Sequence, residues 1–274
     1  MASGIVISAK GGTGKTTFAI NLAKVLADDL QRRKLTKKQG GLYVDFDICD
    51  PNGSLRLDEL GANNFYSLFK GYDTGVDTVE LQSLCRQVKK ANISILGSEV
   101  LGAQQREELA MLYATNRYAT RFVRDLDQLI NLYDHCIIDT PGGGLASFIP
   151  LLLGSDFVYN VFDLRDQPSI RSSEKCLIDF YYFCHKFRHV KNTGTKMMHV
   201  VFSFYSPGQA LRYRKIISDR LADWFRLNLD ERSRHPIDPW IAENFAWWFE
   251  QRAERRRQAV QEYIEMFLTE RVRF

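Results

Sequence analysis

The segment KGGTGKTT, residues 10–17, says most about the architecture of this 274-residue chain. It follows the apolar run of residues 5–7 and leads into a helical pattern over residues 15–30. A strand, a glycine-rich turn and a helix in this order direct backbone N–H groups and a helix N-terminus at one point, which makes an anion site. Glycine permits positive φ angles and leaves room for phosphate oxygens near the backbone. The segment therefore predicts a phosphate-binding loop.

The side chains of this loop suit a nucleotide with Mg²⁺. We expect the Lys15 amine to supply a positive charge to the outer phosphates and the Thr16 hydroxyl to ligate Mg²⁺. The alternative is a chance glycine-rich turn, which the GKTT directly behind an apolar strand disfavours. The residues of the loop predicted to bind the nucleotide are Lys10, Gly11, Gly12, Thr13, Gly14, Lys15, Thr16 and Thr17.

Short apolar runs alternate with longer helical patterns along the rest of the chain, which is typical of parallel strands joined by crossover helices. The predicted strands are residues 4–8, 42–47, 93–96, 135–139, 157–162 and 197–204. The predicted helices are residues 15–30, 104–132 with a break near Asn116, 169–187, 210–227 and 241–268. We predict one α/β domain over residues 1–274, with a doubly wound, mostly parallel sheet flanked by helices. Residues 51–90 are expected to form loops and short helices.

The composition excludes a disordered or collagen-like chain, since 45% of the residues are hydrophobic and 26% are charged. The net charge of +4 permits an acidic partner without requiring one. The longest apolar runs, such as residues 148–153, are too short to span a bilayer. No basic and apolar leader opens the sequence, and its five scattered cysteines form no CxxC pair. We therefore expect a reduced, cytoplasmic protein with neither a disulfide framework nor a zinc site.

Two further predicted strands end in carboxylates. Residues 42–50 read LYVDFDICD and carry Asp45 and Asp47, and residues 135–143 read HCIIDTPGG and carry Asp139. Ligands of open α/β folds gather at the carboxyl ends of the strands, so these side chains are predicted to join the loop. Turn chemistry alone also favours aspartate at a strand end, and this reading stays open for residues 45 and 47.

Together the three motifs resemble those of the ParA/MinD group of deviant Walker ATPases, whose loop reads KGGxGKT. The resemblance implies ATP and Mg²⁺ as cofactors, with Lys10, Lys15 and Asp47 as catalytic residues. It implies that Lys10 crosses a dimer interface to the ATP phosphates of the other subunit, where a second cation stabilises the developing charge. It further implies that Asp47 orients the attacking water and is a further candidate metal residue. Asp139 would hold the Mg²⁺ shell through water, and Asp45 would have a supporting role.

The same resemblance suggests an adenine pocket and leaves the subgroup undecided. The end of the strand at residues 197–204 would lie beside the base, which makes Ser203 and Pro207 candidates, although an ordinary strand and turn explain them equally well. Residues 48–50 separate Asp47 from Pro51, an arrangement nearer to MinD than to ParA. The absent CxxC disfavours iron–sulfur chemistry.

Basic clusters indicate what the ATPase acts on. Proteins of the ParA type hold DNA without sequence preference through surface Arg and Lys, and contact with backbone phosphates needs only charge. A solvated helix face is the alternative explanation of these clusters. The candidate DNA-binding residues are Arg212, Arg214, Lys215, Arg252, Arg255 and Arg256.

The resemblance thus implies an ATP-dependent sandwich dimer that binds DNA and partitions or positions a plasmid, a chromosome or another cargo. A ParB-like partner would stimulate hydrolysis, and the protein would associate with the nucleoid. One alternative is a MinD-like ATPase that docks on a membrane through its C-terminal helix, which Glu265 and Glu270 disfavour. Another is a nucleotide-gated regulator or scaffold with negligible turnover, which the retained motifs disfavour.

Overall fold

In the computed structural model, two compact units make up the chain, Met1–Ala210 and Leu211–Phe274. The structure describes residues 2–35, 38–47, 51–57, 65–75, 81–88, 91–97, 100–114, 116–143, 151–152, 155–165, 167–186, 197–203 and 212. All of these except Arg212 lie in the first unit, whose fold follows. The assignment of residues 1–274 to a single domain stays a prediction.

A central sheet organises the first unit, and its strand order is β3-β4-β2-β5-β1-β6-β7. Neighbouring strands are parallel except for the pair of β3 and β4. The prediction of a mostly parallel α/β sheet is therefore confirmed. The strands are β1 (Ala2–Ile7), β2 (Gly41–Asp45), β3 (Cys85–Gln87), β4 (Ile93–Leu96), β5 (His135–Asp139), β6 (Phe157–Asp163) and β7 (Met197–Ser203).

The helices of the described residues follow the predicted ones closely. The predictions for residues 15–30, 104–132 and 169–187 are confirmed to within two residues at each end, and α5 begins at the expected break. The predicted helices at residues 210–227 and 241–268 lie outside the described residues, apart from Arg212. The helices are α1 (Lys15–Arg32), α2 (Asn52–Arg56), α3 (Phe65–Thr74), α4 (Ala103–Ala114), α5 (Asn116–Ile130) and α6 (Gln167–Lys186).

The strands at the centre of the sheet lie in the core of the unit. Every residue of β2 and of β5 is buried, because helices cover both faces of a parallel sheet. Beyond the end of β2, an aromatic cluster holds the chain: the ring of Phe46 stacks on Phe122 of α5 at 5.3 Å and meets Phe65 of α3 edge-on at 5.4 Å. This packing fixes the strand end that carries Asp45 and Asp47.

The antiparallel edge strand β3 was not predicted from the sequence. Residues 51–90 contain the expected short helices α2 and α3 and a 3-10 turn at Leu81–Leu84, but the expectation of no strand there is wrong for Cys85–Gln87. The strand has three residues, two of them exposed, so it carries no apolar alternation that a sequence pattern could reveal. Its pairing with β4 depends on a non-local contact.

Candidate functional site: the phosphate loop and its carboxylates

The register of three strands brings the predicted motifs to one edge of the sheet. Val6 of β1 lies opposite Asp139 of β5, and Asp45 of β2 lies opposite the same Asp139. The loop that leaves β1 therefore begins beside both carboxylates. Since all three strands are parallel, their carboxyl ends meet at this edge.

Two glycines with positive φ give the loop its shape. The φ angles of Gly12 and Gly14 are 75° and 83°, in the region that side chains with a Cβ rarely adopt. Gly14 directly precedes α1, and its carbonyl accepts the first helical hydrogen bond, from the N–H of Phe18 at 2.9 Å. The unpaired N–H groups of the first turn of α1 therefore point toward the loop, where an anion is stabilised.

The loop lysine and the carboxylate of the third motif form a buried ion pair. The Nζ atom of Lys15 lies 2.8 Å from Oδ1 of Asp139, and both side chains are almost completely buried. The second oxygen, Oδ2, accepts a hydrogen bond of 3.0 Å from the hydroxyl of Tyr43. Burial, followed by the negative charges of Asp139 and Asp45, raises the pKa of Tyr43 well above its ordinary value. Tyr43 therefore stays a neutral donor.

The first carboxylate of the second motif makes its hydrogen bonds with α2. Oδ2 of Asp45 accepts from the backbone N–H of Ser54 at 2.6 Å and from its hydroxyl at 2.7 Å. Burial raises the pKa of Asp45 to about 7, the charge of Asp139 adds to the effect, and the hydrogen bonds from Ser54 oppose it. Asp45 thus fastens the segment that follows the second motif, and its supporting role at the phosphate loop stays a prediction.

Asp47 and Lys10 are the more accessible members of the site. Asp47 is half-buried, two residues beyond Asp45, whose side chain is fully buried. The side chain of Lys10 is exposed, while its carbonyl accepts a hydrogen bond of 2.8 Å from the Ser8 hydroxyl. Lys10 is thus an exposed residue of the loop, and its expected role across a dimer interface stays a prediction.

The three threonines of the loop have different surroundings. Thr13 is buried, and its Oγ1 has no hydrogen-bond partner in the structure. Thr16 is half-buried at the start of α1. The hydroxyl of Thr17 accepts a hydrogen bond from the guanidinium of Arg56 in α2. The Thr16 hydroxyl and the carboxylate of Asp139, which contacts the adjacent Lys15, are hard oxygen donors of the kind that suits Mg²⁺.

A second arginine at the loop was missed in the sequence. Arg165 follows β6, and its guanidinium pairs with both oxygens of Asp163, at 2.7 Å from Nη2 and 3.0 Å from Nε. The same Nη2 lies 3.5 Å from the Gly12 carbonyl. Neither arginine belongs to a recognisable motif. Arg165 could have been suspected only because it is a charged residue directly after a predicted strand, and Arg56 only because it follows an acidic strand end.

The remaining predicted residues are less well connected to the site. The hydroxyl of Ser203, at the end of β7, donates to the Phe162 carbonyl at 3.1 Å, so it is engaged by the backbone. Arg212 is exposed. The other candidates lie outside the described residues: Pro207, Arg214, Lys215, Arg252, Arg255 and Arg256.

Two kinds of feature are absent from the described residues. No group of three or more His, Cys, Asp or Glu side chains in these ranges could hold a metal ion. This is compatible with Mg²⁺, which proteins commonly hold through one or two carboxylates together with substrate phosphates. No helix in the same part of the chain has the length and apolar character needed to cross a membrane.

Comparison with known proteins agrees with this geometry. The AAA domain family model matches residues 3–159. The virulence plasmid ParA family protein pGP5-D of Chlamydia muridarum is 33% identical over 151 residues, which are 52% of this chain and 48% of that protein. The chain thus spans about half the length of this relative.

Solved structures share the fold at lower identity. The septum site-determining protein MinD from Pyrococcus horikoshii, complexed with Mg-ADP, is 19% identical with a TM-score of 0.53 over 75% of this chain and 71% of its own. A variant of McdA from Cyanothece, complexed with ATP, is 18% identical with a TM-score of 0.59 over 80% of each chain.

Proposed function

The chain belongs to the ParA/MinD-like P-loop ATPases, and from this membership we propose that it binds ATP with Mg²⁺ in the loop of residues 10–17 and hydrolyses it. The observation that carries the proposal is the contact of 2.8 Å between Lys15 and Asp139. It brings the loop cation and the candidate metal carboxylate into one site at the carboxyl edge of the sheet. The nucleotide complexes of MinD and McdA, which share the fold, support the same cofactor.

Each side chain then has a defined task. The N–H groups of the loop and of the first turn of α1 bind the phosphates, and Lys15 moves from Asp139 to the outer ones. Thr16 and Asp139 would hold Mg²⁺, which neutralises charge on the β- and γ-phosphates when it is bound. Asp47, half-buried at the same edge, orients the attacking water.

The exposed lysine of the loop suggests that turnover depends on assembly. The Lys10 carbonyl accepts a hydrogen bond from the Ser8 hydroxyl, and the residue is exposed. In a dimer joined through two bound ATP molecules, Lys10 of each subunit would contact the phosphates of the other. A cation that arrives only in the dimer makes hydrolysis conditional on dimerisation.

We further propose that this dimer binds DNA without sequence preference and moves a plasmid or another cargo, with a ParB-like protein as activator and the nucleoid as its location. The proposal is supported by the likeness to a virulence plasmid ParA family protein and by the net charge of +4. Contact with phosphates through Arg and Lys gives an affinity that falls steeply with salt.

One experiment tests these steps in order. The full chain is mixed with Mg-ATP or Mg-ADP, its mass is measured by light scattering, and its retention on random-sequence DNA is measured over a series of salt concentrations. We expect a dimer and salt-sensitive DNA retention with ATP only. Liposomes are included as a parallel arm. Retention by liposomes but not by DNA, or DNA retention indifferent to nucleotide and salt, contradicts the partition proposal.

A further inference from the structure

The two oxygens of Asp139 have partners of different mobility. Oδ1 is paired with the amine of Lys15, which ends a flexible side chain at the start of α1. The proposed function requires this amine to leave for the nucleotide phosphates. Oδ2 accepts from the hydroxyl of Tyr43, which belongs to an inner strand of the sheet. Only the first of these two contacts can be exchanged for the phosphates by a side-chain rotation.

The side chain of Tyr43 is confined by neighbours on two strands and one helix. It is fully buried in β2, with Ile95 of β4 and Ile137 of β5 opposite it. On the α2 side, Gly53 lies against the hydroxyl, since a Cβ at residue 53 would be 2.1 Å from that oxygen. Glycine therefore leaves the space that the phenol group occupies. A ring confined in this way keeps its hydroxyl on Asp139 whatever Lys15 does.

We propose that Tyr43 is a positioning residue that keeps the Asp139 carboxylate oriented for the metal. This inference rests on the proposed function. When Lys15 turns to the phosphates, a fully buried carboxylate without any donor is strongly disfavoured. The Tyr43 hydroxyl still donates to Oδ2, so Oδ1 faces the loop as an acceptor for the Mg²⁺ shell. The Tyr43 hydroxyl thus connects β2, the strand of the second motif, to the carboxylate proposed to hold Mg²⁺.

The test separates metal binding from nucleotide binding by using Tyr43→Phe, which removes one oxygen atom and keeps the ring. A fluorescent ADP analogue is titrated against the full chain in EDTA, and Mg²⁺ is then titrated into the complex. We expect the affinity in EDTA to stay within about twofold of wild type. We expect the Mg²⁺ midpoint to rise roughly tenfold, the size of the loss of one hydrogen bond to a charged group.

Tyr133→Phe is the matched control, because Tyr133 is also buried and its hydroxyl lies beside Ser94 and Cys85 rather than in the site. Its Mg²⁺ midpoint is expected to equal that of wild type. Gly53→Ala is a second variant, which displaces the Tyr43 hydroxyl while the phenol is retained, and it is expected to raise the midpoint as well.

The outcomes distinguish the inference from the function on which it rests. A Mg²⁺ midpoint for Tyr43→Phe within twofold of wild type overturns the positioning role. An equal loss of affinity with and without Mg²⁺ also overturns it, because a purely structural role has that effect. If Tyr43→Phe does not fold, an unchanged midpoint in folded Gly53→Ala overturns it instead. A wild-type chain that binds no nucleotide overturns the proposed function first.

Discussion

Gly142 lies directly against the backbone of Lys10. A Cβ at residue 142 would be 2.9 Å from the Lys10 carbonyl carbon and 2.8 Å from the Gly11 nitrogen. The next residue, Gly143, donates its N–H to the Ser8 carbonyl at 3.1 Å. The segment after Asp139 thus packs directly on the loop that carries Lys10. A bulkier side chain in this segment would therefore displace the loop.

Gly142→Ala is therefore expected to disturb the loop. The added methyl group meets backbone atoms that cannot rotate away, so we expect a loss of about 1–3 kcal/mol in the free energy of unfolding and a lower ATP affinity. Urea denaturation and nucleotide titration measure both. Gly102→Ala is the control, since its Cβ would meet only the Gln105 side chain at 3.5 Å. Equal behaviour of the two variants would contradict this account of the Gly142 contact.

Lys15→Ala is expected to abolish nucleotide binding and to destabilise the nucleotide-free chain. The change leaves the carboxylate of Asp139 buried without its cation, for which about 3–5 kcal/mol is the usual loss. Adding Asp139→Asn removes the uncompensated charge, so the double variant should recover much of the stability but no binding. If the double variant is as unstable as Lys15→Ala, the buried pair is not the cause. Urea denaturation decides this.

Lys10→Ala is expected to keep ATP binding and to lose dimerisation or turnover. Lys10 is an exposed residue whose proposed target lies in the other subunit, so the nucleotide site of its own subunit should stay intact. Binding is measured by titration, mass by light scattering and turnover by phosphate release. Arg32→Ala removes an exposed cation at the opposite end of α1 and should change none of them. Wild-type turnover in Lys10→Ala removes the proposed role.

Asp47→Ala is expected to trap a dimer with ATP. Loss of the carboxylate that orients water slows hydrolysis, while the loop and Lys10 still join the subunits. The variant should stay dimeric in Mg-ATP long after wild type has returned to monomers. Asp127→Ala, at an exposed position of α5, should follow wild type. Normal hydrolysis by Asp47→Ala is the result that contradicts the assignment.

His135 is expected to make the fold sensitive to acid. Burial lowers its pKa below the ordinary 6.5, and its Nε2 lies 3.1 Å from the Ala23 carbonyl, to which it donates in the neutral form. The unfolded chain takes up a proton as pH falls through 6.5, whereas the folded chain does so only at lower pH. Stability is therefore full above this range and decreases as pH falls toward the folded pKa.

The measurement is the urea midpoint at about pH 7.5 and about pH 5.5 for wild type and His135→Gln, whose amide can donate but does not titrate. The decrease between the two pH values should be smaller in the variant. An equal decrease would show that other groups cause the acid sensitivity.

Local sequence patterns were enough to predict the glycine-rich loop, the parallel strands and the acidic strand ends. These features are local: glycine is needed where φ is positive, and a strand covered on both faces must be apolar throughout. For this reason β4 and β5 match their predicted limits, and the helix after the loop starts at Lys15 as expected.

The contacts that those side chains make are visible only in the folded structure. The Tyr43 hydroxyl meets Asp139 across 96 residues, and Arg165 reaches Gly12 across 153. The strand β3 likewise forms because its backbone can hydrogen-bond to the edge of β4. Such contacts depend on strand order and register, which arise when distant segments bury apolar surface together. A local pattern therefore predicts which residues lie at the edge of the sheet, whereas packing determines which of their side chains contact one another.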